Sequence, residues 1–146
     1  MVLGPITTLM LKHHAIVNKS LSEFEAVSDK NSIDAKDTFD IFRWNIAKHM
    51  SIEEKNIFSV VDKTNKKEYK ELQNLLKDHE DLRAIVTNIY EDVIQRRNPN
   101  VKILRELLYA HEAREVESFY PKLDARLSEE EKNEIVQEVN DVKLKE

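Results

Sequence analysis

Cysteine is absent from this chain, which removes disulfide frames, thiolate metal sites and cysteine nucleophiles from consideration. Glycine occurs once and proline three times in 146 residues, so there is almost no turn punctuation, and leucine, isoleucine, glutamate and lysine dominate. That is an all-helical composition. No apolar run approaches the length of about 20 residues needed to span a bilayer, and the first residues show no signal-peptide pattern. Neither sign of charge prevails: 23 basic and 28 acidic residues interleave to a net charge of −5. Nucleic acid and anionic membrane are therefore not expected partners. The expectation is a cytoplasmic protein with one domain over residues 1–146.

The apolar pattern divides the chain into helices. Gly4-Pro5 opens a first helix, because proline is tolerated in the first turn; it runs to about Val27 with Ile6, Met10, Val17, Leu21 and Phe24 on its stripe. The polar stretch Ser28 to Asp34 is a connection. A second helix carries Phe39, Phe42, Ile46, Ile57 and Val61 and ends near Lys63-Thr64-Asn65. A third spans about Lys67 to Arg97, with Leu72, Leu75, Leu76, Leu82, Val86 and Ile89 facing inward. Asn98-Pro99-Asn100 stops it. A fourth begins near Val101 and meets Pro121, which should kink or end it. Ser128-Glu129-Glu130-Glu131 is a capping-box signature and starts a short helix through Ile135 and Val139. The reading is an all-α fold, an up-down-up-down four-helix bundle with a short C-terminal fifth helix.

Four of the five histidines fall into two copies of one pattern. Leu11-Lys12-His13-His14 answers Leu76-Lys77-Asp78-His79, and Ile46-Ala47-Lys48-His49-x3-Glu53 answers Leu108-Tyr109-Ala110-His111-x3-Glu115. A histidine and a glutamate four apart share one helix face, with roughly 5–6 Å between Cβ atoms. An aliphatic residue lies three before each histidine: Leu11, Ile46, Leu76 and Leu108. After His49 and His111, Ile57 and Phe58 answer Phe119 and Tyr120. The six residues His14, His49, Glu53, His79, His111 and Glu115 thus belong to stripes that face the bundle interior. The same alignment pairs His13 with Asp78, a position that is not required to be buried, so His14 is the better ligand. His13 still lies at the edge of the apolar face.

Taken singly, each element has an ordinary explanation. A lone His-x3-Glu is most often a surface pair, and a lone histidine on an apolar stripe is more often a hydrogen-bonded core residue than a ligand. The conjunction changes the balance. Two uncompensated buried glutamates would cost several kcal/mol each or be forced to protonate, whereas shared cations compensate both and coordinate the four imidazoles. Glu54, Glu80, Glu112 and Glu117 read as a solvated face, with a supporting role beside the ligands open to any of them. Ferritin-like carboxylate sites use Glu-x-x-His, and here aliphatics hold that glutamate position. His111-Glu112 begins like the zincin motif, but Glu115 stands where its second histidine belongs. Six convergent nitrogen and oxygen ligands suit a dinuclear pair with octahedral leanings better than one tetrahedral zinc, with iron expected and manganese the alternative.

On these segments, with Phe119-Tyr120-Pro121, the chain resembles the hemerythrin-like, HHE cation-binding domains over nearly its whole length. The resemblance implies that His14 and His49 bind one iron and His79 and His111 the other. Glu53 and Glu115 would bridge them, and an oxo or hydroxo oxygen would complete the bridge. The chain departs from oxygen-carrying hemerythrins in two ways. Leu75 and Arg83 stand four residues either side of His79 where a further histidine is expected, and one bridging position is glutamate instead of aspartate. Both features look more like the hemerythrin-like domain of iron-sensing F-box proteins and prokaryotic stand-alone members. In the F-box type a glutamate directly after the second-helix histidine can also ligate; here that residue is Met50.

The missing histidine implies an open coordination position on the iron of His79 and His111. An apolar lining of Val17, Leu21, Ile46, Leu82, Val86 and Leu108 would favour dioxygen or nitric oxide over charged substrates. The expected function is a non-haem diiron protein that binds dioxygen or a related diatomic for sensing, scavenging or storage. An enzyme acting on peroxide or nitric oxide, and an iron-buffering protein, are the alternatives. Any signalling role would need a separate protein partner.

Overall fold

The computed structural model describes residues 2–30 and 33–146; Asn31 and Ser32, inside the expected connection, lie outside the described residues. The helices are α1 (Pro5–Glu25), α2 (Ile33–Ile52), α3 (Lys66–Ile94), α4 (Val101–Arg114), α5 (Tyr120–Arg126) and α6 (Glu129–Asn140). Two π turns, Glu53–Ile57 and Glu115–Phe119, extend α2 and join α4 to α5. The described residues contain no strand.

The helix ends follow from local chemistry. Gly4 precedes α1 without a side-chain cap of its own. Asp124 of α5 supplies one, accepting from Ile6 N–H at 3.0 Å, Thr7 N–H at 2.9 Å and the Thr7 hydroxyl at 2.7 Å. A Cβ at residue 4 would come within 2.2 Å of Asp124 Cγ, so glycine is what allows this approach. Asn65 caps α3 by accepting from Lys67 N–H at 3.1 Å and Glu68 N–H at 3.2 Å. Ser128 and Glu131 form the expected capping box of α6.

Several expected boundaries move. Regular α1 ends at Glu25, before Val27. The second helical rod leaves α geometry at Glu53 and ends in a 3-10 turn, Phe58–Val60, short of Lys63. α3 ends at Ile94, not Arg97. Arg97 N–H reaches Asp92 C=O at 2.7 Å and Arg96 N–H reaches Val93 C=O at 3.2 Å, which is a Schellman closure with Arg96 left-handed at φ 57°. Pro121 does not end the helical run, which continues to Arg126. The departure from α geometry lies just before it, and the proline sits in the first turn of α5, where a missing N–H is tolerated.

Consecutive helices are neighbours: α1 packs on α2, α2 on α3 and α3 on α4, while α5 and α6 return to α1. Two apolar clusters fill the interior. One holds Ile6, Met10, Ile57, Leu75, Phe119 and Tyr120; the other holds Val17, Phe24, Phe42, Ile46, Leu82 and Leu108. Along α1 and α3 the first cluster precedes the second, and along α2 and α4 the order is reversed. On the α1, α3 and α4 rods the histidines of the repeated pattern, with Glu115, lie between the clusters, and on the α2 rod His49 and Glu53 flank the change from one cluster to the other. The stripe of α3 needs one correction. Leu76 is 39% exposed, because Leu72, Leu75, His79 and Leu82 complete the inward face and leave it at the edge.

Candidate metal centre

The six repeated residues meet in one buried layer; none exceeds 5% exposure. They arrive from four rods at the level where the two apolar clusters separate. His14 and His49 have ring centroids 5.1 Å apart, and His79 and His111 4.9 Å apart. His14 thus neighbours His49, and His79 neighbours His111.

The carboxylates lie between the pairs. Glu53 Oε1 is 3.2 Å from His49 Nε2, 3.3 Å from His79 Nε2 and 3.8 Å from His111 Nε2. Glu115 Oε1 is 3.1 Å from His14 Nε2, and its Oε2 is 3.3 Å from His111 Nε2. Two groups of ligand-type atoms, each within 4.8 Å of one another, result: Glu53, His79, His111 and Glu115, and His14, His49 and Glu115.

A π turn follows each histidine–glutamate pair and explains its surroundings. Phe58 N–H bonds to Glu53 C=O, and Tyr120 N–H to Glu115 C=O, one residue wider than an α turn. At roughly 100° per residue, position +9 of an unbroken helix points directly away from the histidine. The extra residue in the turn rotates +8 and +9 back, and Ile57, Phe58, Phe119 and Tyr120 are all buried. The adjacent bulky apolar pair after both motifs was the sequence signal for this. π turns of this kind cluster at functional sites.

Electrostatics in the layer are unbalanced. Burial opposes charge on Glu53, but the neighbouring imidazoles, His49 foremost, and hydrogen bonds hold it well below the usual carboxylate range. Burial and the charge of Glu53 push Glu115 up to about 8. The two carboxylates thus keep one proton between them near neutral pH. Burial also opposes charge on His111, but Glu115 and a hydrogen bond to Asp78 push it up to about 12. Several buried atoms have no hydrogen-bond partner among the described residues: both ring nitrogens of His49, His111 Nε2 and Glu115 Oε2. Convergent, unpartnered imidazole and carboxylate donors fit first-row divalent metal, whose charge would offset the buried glutamates.

Four contributors escaped the sequence reading or were read differently. Tyr120 donates its hydroxyl to Glu53 Oε2 at 2.5 Å and stands 3.4 Å from His14 Nε2. Asp78, whose burial was not required, is buried and 2.9 Å from His111 Nδ1. Glu54 is half-buried and 2.7 Å from His79 Nδ1, and Glu112 is buried and accepts from Asn18 Nδ2 at 2.9 and 3.1 Å. Glu54 and Glu112 are therefore not members of a solvated face, whereas Glu80 and Glu117 are exposed. His13 is buried as well, its ring 5.7 Å from that of His49, outside both ligand groups. Burial and the adjacent His49 and His14 lower its pKa to about 4. The repeat paired His13 with Asp78 correctly, and both positions turn out to be inward.

The hemerythrin HHE cation-binding domain matches residues 5–132 of the chain. No curated protein and no solved structure matches it. None of the helices is long and apolar enough among the described residues to cross a membrane.

Proposed function

The chain belongs to the hemerythrin HHE cation-binding domain family, and on that premise we propose that it is a non-haem diiron protein that binds dioxygen or a related diatomic. The observation that carries this is the pair of buried donor groups sharing Glu115, with unpartnered imidazole nitrogens aimed at two carboxylates. One group would hold an ion with His79, His111 and Glu53, the other with His14 and His49, and Glu115 would be within reach of both. Iron suits this mixed nitrogen and oxygen set, with manganese the alternative. When bound, such a pair supplies reversible electron transfer to a diatomic ligand.

The protein's own residues set the conditions for that chemistry. Val17, Leu21, Ile46, Leu82, Val86 and Leu108 belong to the apolar cluster on one side of the layer, which favours uncharged ligands over ions. Asp78 and Glu54 orient His111 and His79 through their Nδ1 atoms. Tyr120 holds a proton at Oη, with burial and the nearby glutamates raising its pKa well above that of an ordinary tyrosine. The reversal of cluster order between successive rods supports the up-down-up-down bundle, with α6 as the additional short helix.

Tyr120 also favours a second reading, an enzyme acting on peroxide or nitric oxide, because a phenol beside the centre can deliver the proton that reduction consumes. The test begins with metal analysis: two irons per chain are expected, one lost with His14→Ala and none with His13→Ala. A single zinc per chain, or equal loss in both variants, overturns the reading. Anaerobically reduced protein then meets dioxygen, peroxide and nitric oxide under visible absorption. A stable reversible adduct marks a binding protein, and catalytic consumption marks an enzyme.

A further inference from the structure

The two donor groups are held very differently. In the group of His79, His111, Glu53 and Glu115, each imidazole has a carboxylate on its outer nitrogen: Glu54 at 2.7 Å from His79 Nδ1 and Asp78 at 2.9 Å from His111 Nδ1. Each of these carboxylates is fixed in turn by an arginine. Arg83 donates to Glu54 at 2.6 Å, and Arg114 Nη1 donates to both oxygens of Asp78, at 2.6 and 2.5 Å.

The group of His14, His49 and Glu115 has no such scaffold. His14 Nδ1 lies 3.9 Å from Glu112, beyond a hydrogen bond, and Glu112 is engaged by Asn18 instead. His49 Nδ1 is buried with no partner among the described residues. The ring beside it belongs to His13, whose own Nδ1 is equally buried and unpartnered.

An outer-nitrogen bond to a carboxylate fixes the tautomer that presents Nε2 and makes the imidazole a stronger donor. One group therefore offers four residues with both imidazoles preset, and the other offers three with neither preset. Resting on the diiron reading above, we infer that the two positions fill in order. The first cation goes to His79, His111, Glu53 and Glu115, and the second to His14 and His49 with Glu115. A form loaded at only the His79–His111 position is the intermediate of assembly.

The test adds diamagnetic Zn(II) to the metal-free protein and follows the histidine ring-nitrogen signals by NMR, with Co(II) used for the affinity comparisons. Those of His79 and His111 should shift fully by one equivalent, and those of His14 and His49 only with the second. Two double variants isolate the positions, with circular dichroism verifying that each remains helical. His14→Gln with His49→Gln should bind one Co(II) about tenfold or more tightly than His79→Gln with His111→Gln. Asp78→Asn should narrow the separation between the two steps in the otherwise unchanged chain. Simultaneous shifts of all four histidines, equal affinities in the double variants, or a tighter His14–His49 position overturns the order of filling while leaving the diiron reading intact. Absence of Co(II) binding in the unsubstituted chain overturns both.

Discussion

Residues 49–58 and 111–120 share a ligand spacing and a π turn that starts on the glutamate, yet they end on different chemistry. Phe58 rests its ring 5.2 Å from that of His79, whereas Tyr120 brings a hydroxyl to Glu53 and His14. Behind the first glutamate stands Glu54, bonded to His79; behind the second stands Val116, packed against the apolar cluster. After the histidines come Met50, buried in the core, and Glu112, bonded to Asn18. The repeat thus conserves the backbone path and the ligating pair between its two copies and varies the charge and protons around them. One consequence is that the two glutamates are unequal in the metal-free protein: Glu53 is held ionised and Glu115 is pushed up to about 8.

Removing the metal should expose this inequality and have the largest effect of any test. The metal-free chain is expected to lose at least several kcal/mol, on the order of what buried carboxylates cost without a partner cation. Its remaining stability should depend on pH with a definite sign. Burial and the charge of Glu53 push Glu115 from 4.5 up to about 8 on folding, so the stability from its proton is complete below about 4.5 and lost as pH rises through about 8. His111, raised from 6.5 to about 12, acts in the same direction. His13 and His14, whose pKa values burial lowers, act in the opposite direction below about pH 6.5. The unfolding temperature of metal-free protein should therefore fall between about pH 6.5 and pH 8.5, while metal-loaded protein, with Glu115 and His111 deprotonated onto cations, changes little. Glu115→Gln should flatten the metal-free profile, and Glu53→Gln should lower it throughout. Identical profiles for the two variants would mean that the glutamates are equivalent.

The buried histidine–glutamate layer was legible in the sequence because it is written twice at helical spacing, and a stripe that alternates apolar residues with histidines fixes which face is inward. The supporting groups were harder to read because they do not repeat. Asp78 and His13 occupy the same place in the two copies but differ in chemistry, and Glu54 has only Val116 as its counterpart. Side-chain spacing says which face a residue shares; it does not say which neighbouring helix will bring an imidazole to it. The π turns were announced only indirectly, by bulky side chains at +8 and +9. The cap that Asp124 gives α1 joins residues 117 and 118 positions apart in the chain, a distance at which local patterning carries no information.

A smaller effect separates the two ends of the repeat. Tyr120→Phe should keep two metal ions and cost the metal-free protein about 1 kcal/mol, the usual net value of one hydrogen bond. Its reaction with peroxide should lose the step that draws on the phenol proton, visible as a slower rate whose solvent isotope effect is reduced. Phe58→Leu should cost a similar amount of stability by thinning the packing on His79, without altering the isotope effect. Equal kinetic behaviour of the two variants would remove any proton role for Tyr120 and leave it a packing residue like Phe58.

The smallest expected effect asks whether the second π turn depends on the proline that follows it. Tyr120-Pro121 aligns with Phe58-Ser59, and the turn at Glu53–Ile57 forms with serine in that place. What the two turns share is the buried glutamate at the start and the bulky buried pair at the end, not the imide. Pro121 also lies in the first turn of α5, where proline restricts the unfolded chain without removing a needed bond. Pro121→Ser should therefore retain both metal ions and lower stability by no more than about 1 kcal/mol. Metal analysis and thermal unfolding of the variant check this together. Loss of the His14–Glu115 ion, or a destabilisation several times larger, would show that the proline shapes the second turn and that the two copies reach the same geometry by different means.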